Sequence, residues 1–237
     1  MPNLEGQTIL IIGARSGIGR TIAASAAAAG ARPIVAGRSA DAADQLARQI
    51  PGVAGAVGLD LADEKSIASA AGQLGSVDHI VSLAADHANG AVTNLDVEQI
   101  DRAFRAKVTG PLLIAKHFAS HMPAGGSLVL FSGYVAQRPA PGLTVMATTN
   151  GAVEALVPAL AVDLAPVRVI GISPGVIDSG AWDSMGNKAE FFAEVRSTNA
   201  ARRVGSPSDI ADAVLFACSN RFLTATTLHV DGGQRVA

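Results

Sequence analysis

The sequence predicts one α/β domain over residues 1–237, a Rossmann-type doubly wound parallel sheet of about seven strands with helices on both faces. Short apolar runs alternate with helix-period segments along the whole chain. A glycine-rich turn joins the first run to the first helix, and no Pro/Gly/Ser-rich linker divides the alternation.

Taken in order, Thr8-Ile-Leu-Ile-Ile12 is a continuous apolar run of the kind buried on both faces of a parallel sheet, and an Ala-rich helix over 18–29 follows it. The second strand is expected at 33–36, its helix at 40–50, and the third strand at 54–59. Asp63 precedes Glu64-Lys65-Ser66-Ile67 and predicts the N-cap of a helix over 64–74. A strand at 79–83 leads to one long helical pattern over 97–121, and a strand at 127–131 to a helix over 144–164. Pro158 lies inside that last helix, where it removes a donor and is expected to bend it. The remaining elements are strands at 167–172 and 227–230 and a helix over 208–219, with Pro207, Ser208 and Asp209 at its start. Residues 179–203 have no clear period and carry Trp182, Phe191 and Phe192, as a lid over a binding cleft or an ordinary surface excursion with an apolar anchor does.

Bulk chemistry narrows the function. With 16% charged residues and a formal net charge of −2, the chain has no electrostatic footprint for nucleic acid or anionic membrane. No apolar run approaches the length needed to cross a bilayer, and the N-terminus lacks a basic segment followed by a hydrophobic one. The one cysteine, Cys218, cannot form an internal disulfide; it reads as a small buried hydrophobe, and a cytoplasmic location is expected. His117 and His121 stand four apart without a third ligand, so no metal site is expected.

The turn Gly13-Ala-Arg-Ser-Gly17-Ile-Gly19 points backbone N–H groups and a helix N-terminus at a pyrophosphate, with Arg15, Ser16 and Ile18 between the glycines. The second strand ends Val35-Ala36-Gly37-Arg38-Ser39. An acid there binds both ribose hydroxyls of NAD, whereas a cation accommodates the 2′-phosphate of NADP. Gly37 stands in the acid's place, and Arg38, Ser39 and Arg15 favour NADP(H) over two merely solvated arginines.

With Ser173-Pro174-Gly175 and Val230-Asp231-Gly232-Gly233 downstream, the chain resembles the short-chain dehydrogenase/reductase family from end to end. The resemblance implies an adenine contact at Asp60-Leu61 and a ribose wall at Ala84-Ala85, within a degenerate Ser82-Leu83-Ala84-Ala85. It also implies a nicotinamide segment from Pro174 and Gly175 to Ile177 and Ser179. It implies a small-molecule substrate and a homo-oligomer, a dimer or tetramer built through the helical patterns at 97–121 and 144–164.

The family's catalytic Asn, Ser, Tyr and Lys fall here on Lys107, Gly133, Met146 and Asn150, so the usual phenol acid is absent. A thioether cannot donate a proton. Lys107 and Asn150 exchange an ammonium and an amide between facing sites, so Lys107 reaching toward the nicotinamide ribose with Asn150 on a ribose hydroxyl is one reading, and a solvated Lys107 the other. Tyr134, with Ser132, is the alternative acid, against the simpler reading of Tyr134 as a packing residue. His87, after the fourth strand, is a further candidate acid or a loop residue in solvent. The expected function is an atypical NADP(H) oxidoreductase acting on a small, fairly apolar carbonyl-type or activated substrate; the alternative is a catalytically silent NADP(H)-binding module, a redox sensor or a partner subunit.

Overall fold

Alternate strand residues feed two separate cores. Ile9 and Ile11 face one way, Leu10 and Ile12 the other, and all four are buried, as the period of two requires. The computed structural model describes residues 4–15 and 17–237. Its strands are β1 Thr8–Ile12, β2 Arg32–Gly37, β3 Gly55–Gly58, β4 His79–Ser82, β5 Ser127–Phe131, β6 Arg168–Pro174 and β7 Thr226–Val230. They form one parallel sheet in the order β3-β2-β1-β4-β5-β6-β7. Ile12 pairs with Ala36 on one side and Ser82 on the other, so the carboxyl ends of β1, β2 and β4 lie level where the winding reverses. A crevice opens at such a point.

Helices α1 Gly17–Ala28 and α8 Pro207–Ser219 cover one face, with Ile22, Ile210 and Val214 packed among Ile9, Val129 and Ile170. Helices α3 Glu64–Leu74, α5 Gly110–Phe118 and α6 Thr144–Asp163 cover the other, with Ile67, Phe118, Val153 and Val157 against Leu10, Ile80 and Leu128. Each such side chain contributes about 1.5–3 kcal/mol by leaving water. The remaining helices are α2 Ala40–Ala47, α4 Val97–Phe104 and α7 Lys188–Thr198. Asp63 caps α3 as expected, accepting from the Lys65 amide at 2.9 Å. The cap of α8 is Ser206, in a reciprocal capping box with Asp209, not Ser208.

Three expectations need correction. The pattern over 97–121 is helical throughout but not uniformly α: α4 passes into a π turn at Arg105–Thr109, then α5, then a 3₁₀ turn at Ala119–His121. Residues 179–203 contain α7, whose period was faint because only Phe192 and Val195 are buried on it. Helix α6 is, by length and composition, apolar enough to cross a bilayer, with a mean hydropathy of 1.4. It lies on the sheet as a core helix, burying Val153, Val157 and Leu160, and it runs unbroken through the exposed Pro158.

At the amino ends of the strands, buried His79 bonds Ser127 Oγ through Nδ1 at 2.8 Å and Gln7 Oε1 through Nε2 at 2.7 Å. Burial, then the nearby Arg168 charge, lowers its pKa from 6.5 to about 4. The unfolded chain therefore takes up this proton at higher pH than the folded one. Stability is complete above pH 6.5 and falls as the pH drops towards 4, by at most about 3 kcal/mol. Thermal melts of wild type and His79→Gln across this range check it: the variant is expected to lose most of the slope.

Candidate dinucleotide and active site

The glycine turn leaves no space for side chains. Gly13 has φ +108°, and a Cβ on it would stand 2.8 Å from the Ala84 amide nitrogen. A Cβ on Gly17 would strike the carbonyl of Ser179, and one on Gly19 would come within 2.6 Å of Ala14 Cα. The turn thus packs backbone to backbone between the loop after β4 and the segment after β6, where α1 begins at Gly17. Ile18 is half-buried beside it, and Ser16 lies outside the described residues.

At the end of β2, a Cβ on Gly37 would sit 2.5 Å from the Ala43 amide nitrogen, so the close approach of α2 excludes an acid there. Ser39 caps α2, its hydroxyl accepting from the Ala42 amide at 3.2 Å. Arg15 and Arg38 are both exposed, and neither guanidinium has an ion-pair or hydrogen-bond partner among the described residues. Free cations beside a helix start form a donor set suited to a phosphate monoester.

Farther along the crevice, Asp60 folds its carboxylate back to accept from the Ala62 amide at 2.9 Å, while its own N–H donates to Ser66 Oγ at 2.9 Å. Leu61 packs on the core and lies 3.2 Å from where a Gly110 side chain would start. Ala84 is half-buried and Ala85 exposed. Pro174-Gly175 is braced by the C-terminal turn: Gly175 N–H donates to the Val230 carbonyl at 3.1 Å, and Val176 N–H donates to Gln234 Oε1 at 3.0 Å. The buried Asp231 carboxylate holds that turn, accepting from the Gly233 and Arg235 amides at 3.0 Å each. The Ile177 carbonyl is already taken, by Ser179 N–H at 2.9 Å and Trp182 Nε1–H at 3.0 Å, so only the backbone N–H of Ile177 is open to a carboxamide. Lys188 ties the start of this excursion to Asp178 and Asp183 at 2.8 and 2.6 Å, and the Trp182 and Phe191 rings meet at 4.9 Å.

The catalytic candidates are arranged otherwise than expected. Lys107, inside the π turn, faces inward rather than into solvent. Its ammonium donates to the Phe131 carbonyl at 2.8 Å and the Ser132 carbonyl at 3.4 Å, and burial lowers its pKa to about 8. It is a tie to the end of β5 that leaves one of the three ammonium N–H donors unused among the described residues.

Asn150 is 1% exposed, and its Oδ1 has no hydrogen-bond partner among the described residues. Its Nδ2 lies 2.9 Å from where a Cβ on Gly133 would begin. The amide therefore fills space that a side chain at residue 133 would need, and the two residues are matched in size. Gly133→Ser is expected to cost about 1–3 kcal/mol by overpacking. In a double-mutant cycle with Asn150→Ala the penalty should largely vanish; additive losses would show that the contact is slack.

Ser132 also points away from the crevice. It is buried, and its hydroxyl lies 3.1 Å from the Asn150 carbonyl and 2.9 Å from Glu154 Oε1, while Gln137 Nε2–H donates to the other Glu154 oxygen. This excludes Ser132 as a proton donor in this arrangement. Glu154 and Gln137 were missed, although Glu154 stands one turn beyond Asn150 on α6. Tyr134 packs with Val176, Trp182, Phe191 and Phe192, and burial raises its phenol's pKa, making it a poorer acid. It is a packing residue. His87, by contrast, meets Met146: its Nδ1 is 3.2 Å from the Met146 sulfur.

Comparison with known proteins agrees with this fold. A family model described as enoyl-(acyl carrier protein) reductase matches residues 13–235. Short-chain dehydrogenase/reductase malC of Malbranchea aurantiaca is 32% identical, over 98% of this chain and 95% of its own length. L-xylulose reductase of Bos taurus is 30% identical, over 97% of each chain. A solved small-chain dehydrogenase in complex with NADPH superposes with a TM-score of 0.85 at 33% identity, over 98% of this chain and 100% of its own. The MalC reductase/Diels-Alderase of Malbranchea aurantiaca superposes with a TM-score of 0.89 at 30% identity, over 100% and 99%.

Proposed function

This chain belongs to the short-chain dehydrogenase/reductase family, a family of oxidoreductases that use a nicotinamide cofactor on small molecules, and we propose that it is an NADP(H)-dependent reductase without the family's phenol acid. The observation that carries the cofactor preference is the pairing of unpartnered Arg15 and Arg38 with a Gly37 that has no room for an acid. NADP(H) supplies the hydride. The glycine turn holds the pyrophosphate, Arg15, Arg38 and Ser39 the 2′-phosphate, and Asp60, Leu61, Ala84 and Ala85 the adenosine. Pro174, Gly175, the Ile177 amide and Ser179 receive the nicotinamide end.

Met146 in the phenol's place decides the substrate class. A positioned general acid is worth about 10²–10⁴-fold, whereas proximity of donor and acceptor supplies an effective molarity of about 10⁵–10⁸ M. Hydride transfer therefore persists for substrates whose reduced form is a stabilised anion, and for cationic imines. Trp182 and Phe191 make the covering segment apolar, which supports a small, fairly apolar substrate. NADPH oxidation across simple ketones, α-diketones, quinones and imines tests this. Activated acceptors are expected to react at least about 10²-fold faster than simple ketones. Unactivated ketones reacting as fast as activated acceptors contradict this substrate class, whichever group supplies the proton, and tight NADPH binding with no turnover on any acceptor favours a silent binding module.

The same chain is proposed to form a homo-oligomer. Ala155, Ala159 and Val162 of α6 are turned out from the sheet, with Leu112 of α5 also exposed, which supports helix-to-helix pairing of subunits. Light scattering is expected to give a dimer or a tetramer, and a monomer refutes it.

A further inference from the structure

We propose that His87 is the proton donor of this active site, an inference that rests on the reductase reading above. Of the acid candidates in the sequence, Lys107 is tied to two carbonyls and Ser132 to Asn150 and Glu154, while the Tyr134 ring packs on the cluster around Val176 and Phe192. His87 is exposed to solvent, and its Nδ1 lies against the Met146 sulfur, the side chain that replaces the phenol.

That contact is built into the fold. Ala88, next to His87, is 1% exposed and shares a small core with Val145, next to Met146, and with Ala103 of α4. Gly90 N–H donates to the Gly142 carbonyl at 2.9 Å, pinning the same loop to the entry of α6. At its other end the loop starts at Ala84, whose backbone abuts Gly13 of the dinucleotide turn. Residues 84–90 therefore run from the pyrophosphate cradle to the entry of α6, with the imidazole midway along the loop against Met146. The charged neighbour on this loop is Asp86, and the first two turns of α6, Thr144 to Asn150, bring no charge to the ring. Imidazole is the side chain suited to exchange a proton near neutral pH.

The step balances. With NADPH as hydride donor and a carbonyl compound as acceptor, a C–H bond forms at the carbonyl carbon as the C4–H bond of the dihydronicotinamide breaks. The C=O π pair becomes a lone pair on oxygen, and the imidazolium gives that oxygen its proton, from Nε2, the nitrogen not facing sulfur. The products are an alcohol, NADP⁺ and a neutral imidazole, which regains a proton from water.

The full chain, NADPH or NADP⁺, and 2,3-butanedione as probe acceptor test this. The His87 ring Hε1 resonance, assigned by its loss in His87→Gln, is expected to shift when NADP⁺ binds the wild type. His87→Gln should lower kcat on the dione by about 10²-fold, the low end for a general acid because this acceptor is activated, and leave NADPH affinity within about twofold. An unmoved His87 resonance overturns the proposal, as does an unchanged rate, and His87→Asn serves for both the assignment and the kinetics should His87→Gln fail to fold. Wild type that binds NADPH but never oxidises it with the dione also overturns the role of His87 while sparing the cofactor reading. Failure to bind NADPH at all sinks both.

Discussion

Replacing Arg15 and Arg38 together with alanine is expected to weaken NADPH binding by about 10²–10⁴-fold while leaving NADH binding little changed. Each guanidinium is exposed and unpartnered among the described residues, so neither is tied to the protein's own carboxylates. A charge-assisted hydrogen bond to phosphate contributes about 1.5–3 kcal/mol, and two such contacts set the range. The fold should not notice, because surface substitutions away from caps and cores usually stay within about 0.5 kcal/mol. The complementary change, Gly37→Asp, is not expected to convert the site to NADH. Its Cβ would lie 2.5 Å from the Ala43 amide nitrogen, so α2 must move before a carboxylate can reach a ribose. Calorimetric titration of both variants with each coenzyme reads these effects directly. Equal losses for NADPH and NADH in the double alanine variant would place the arginines elsewhere than on the 2′-phosphate.

Arg168→Met is expected to be the most destabilising single change at the opposite end of the sheet. Arg168 is 5% exposed and donates to four carbonyls: Ala217 at 2.7 Å, Cys218 at 2.8 Å, Leu223 at 3.1 Å and Gly125 at 3.2 Å. Two of these belong to the last turn of α8, whose carbonyls lack helical partners and carry the negative end of the helix dipole. Removing the guanidinium orphans buried acceptors at about 1–3 kcal/mol each, without full additivity, so a loss of roughly 4 kcal/mol is expected. For a chain of this size that lowers Tm by about 8–16 °C. Arg168→Lys should recover only part, since an ammonium cannot span the fork of acceptors. The change also removes a charge that holds the His79 pKa down, so the acid sensitivity of stability should weaken alongside. A Tm within about 2 °C of wild type would show that water replaces the guanidinium freely.

Much of this molecule is legible in the chain. β1 and β5 lie where their apolar runs stand, and the α3 cap is where Asp63 predicts it, because these elements are fixed by local chemistry. The π turn between α4 and α5 left no mark on the apolar period, which runs through it, with Gly110-Pro111 at the first positions of the second helix. Helix α7 was hidden because its few buried residues face only a small satellite cluster. At the site, the glycine turn and its cations are short-range features and read plainly. The directions of Lys107, Ser132 and Asn150 are not, since each is set by residues 17 to 25 positions away, across β5 or from α6. The exchange of Lys and Asn between facing positions suggested two groups reaching into the crevice. Packing instead turns the ammonium onto β5 and folds the amide into the space left by Gly133. His87 was visible as a loop histidine, but its contact with Met146 spans 59 residues and required the fold.

The account depends most on an intact cradle that prefers the phosphorylated coenzyme. Calorimetric titration of the wild-type protein with NADPH and with NADH, side by side at one ionic strength, tests it most directly. Saturable binding of NADPH, at least about 10-fold tighter than NADH, is the predicted result. No binding of either coenzyme, or tighter binding of NADH, would contradict it.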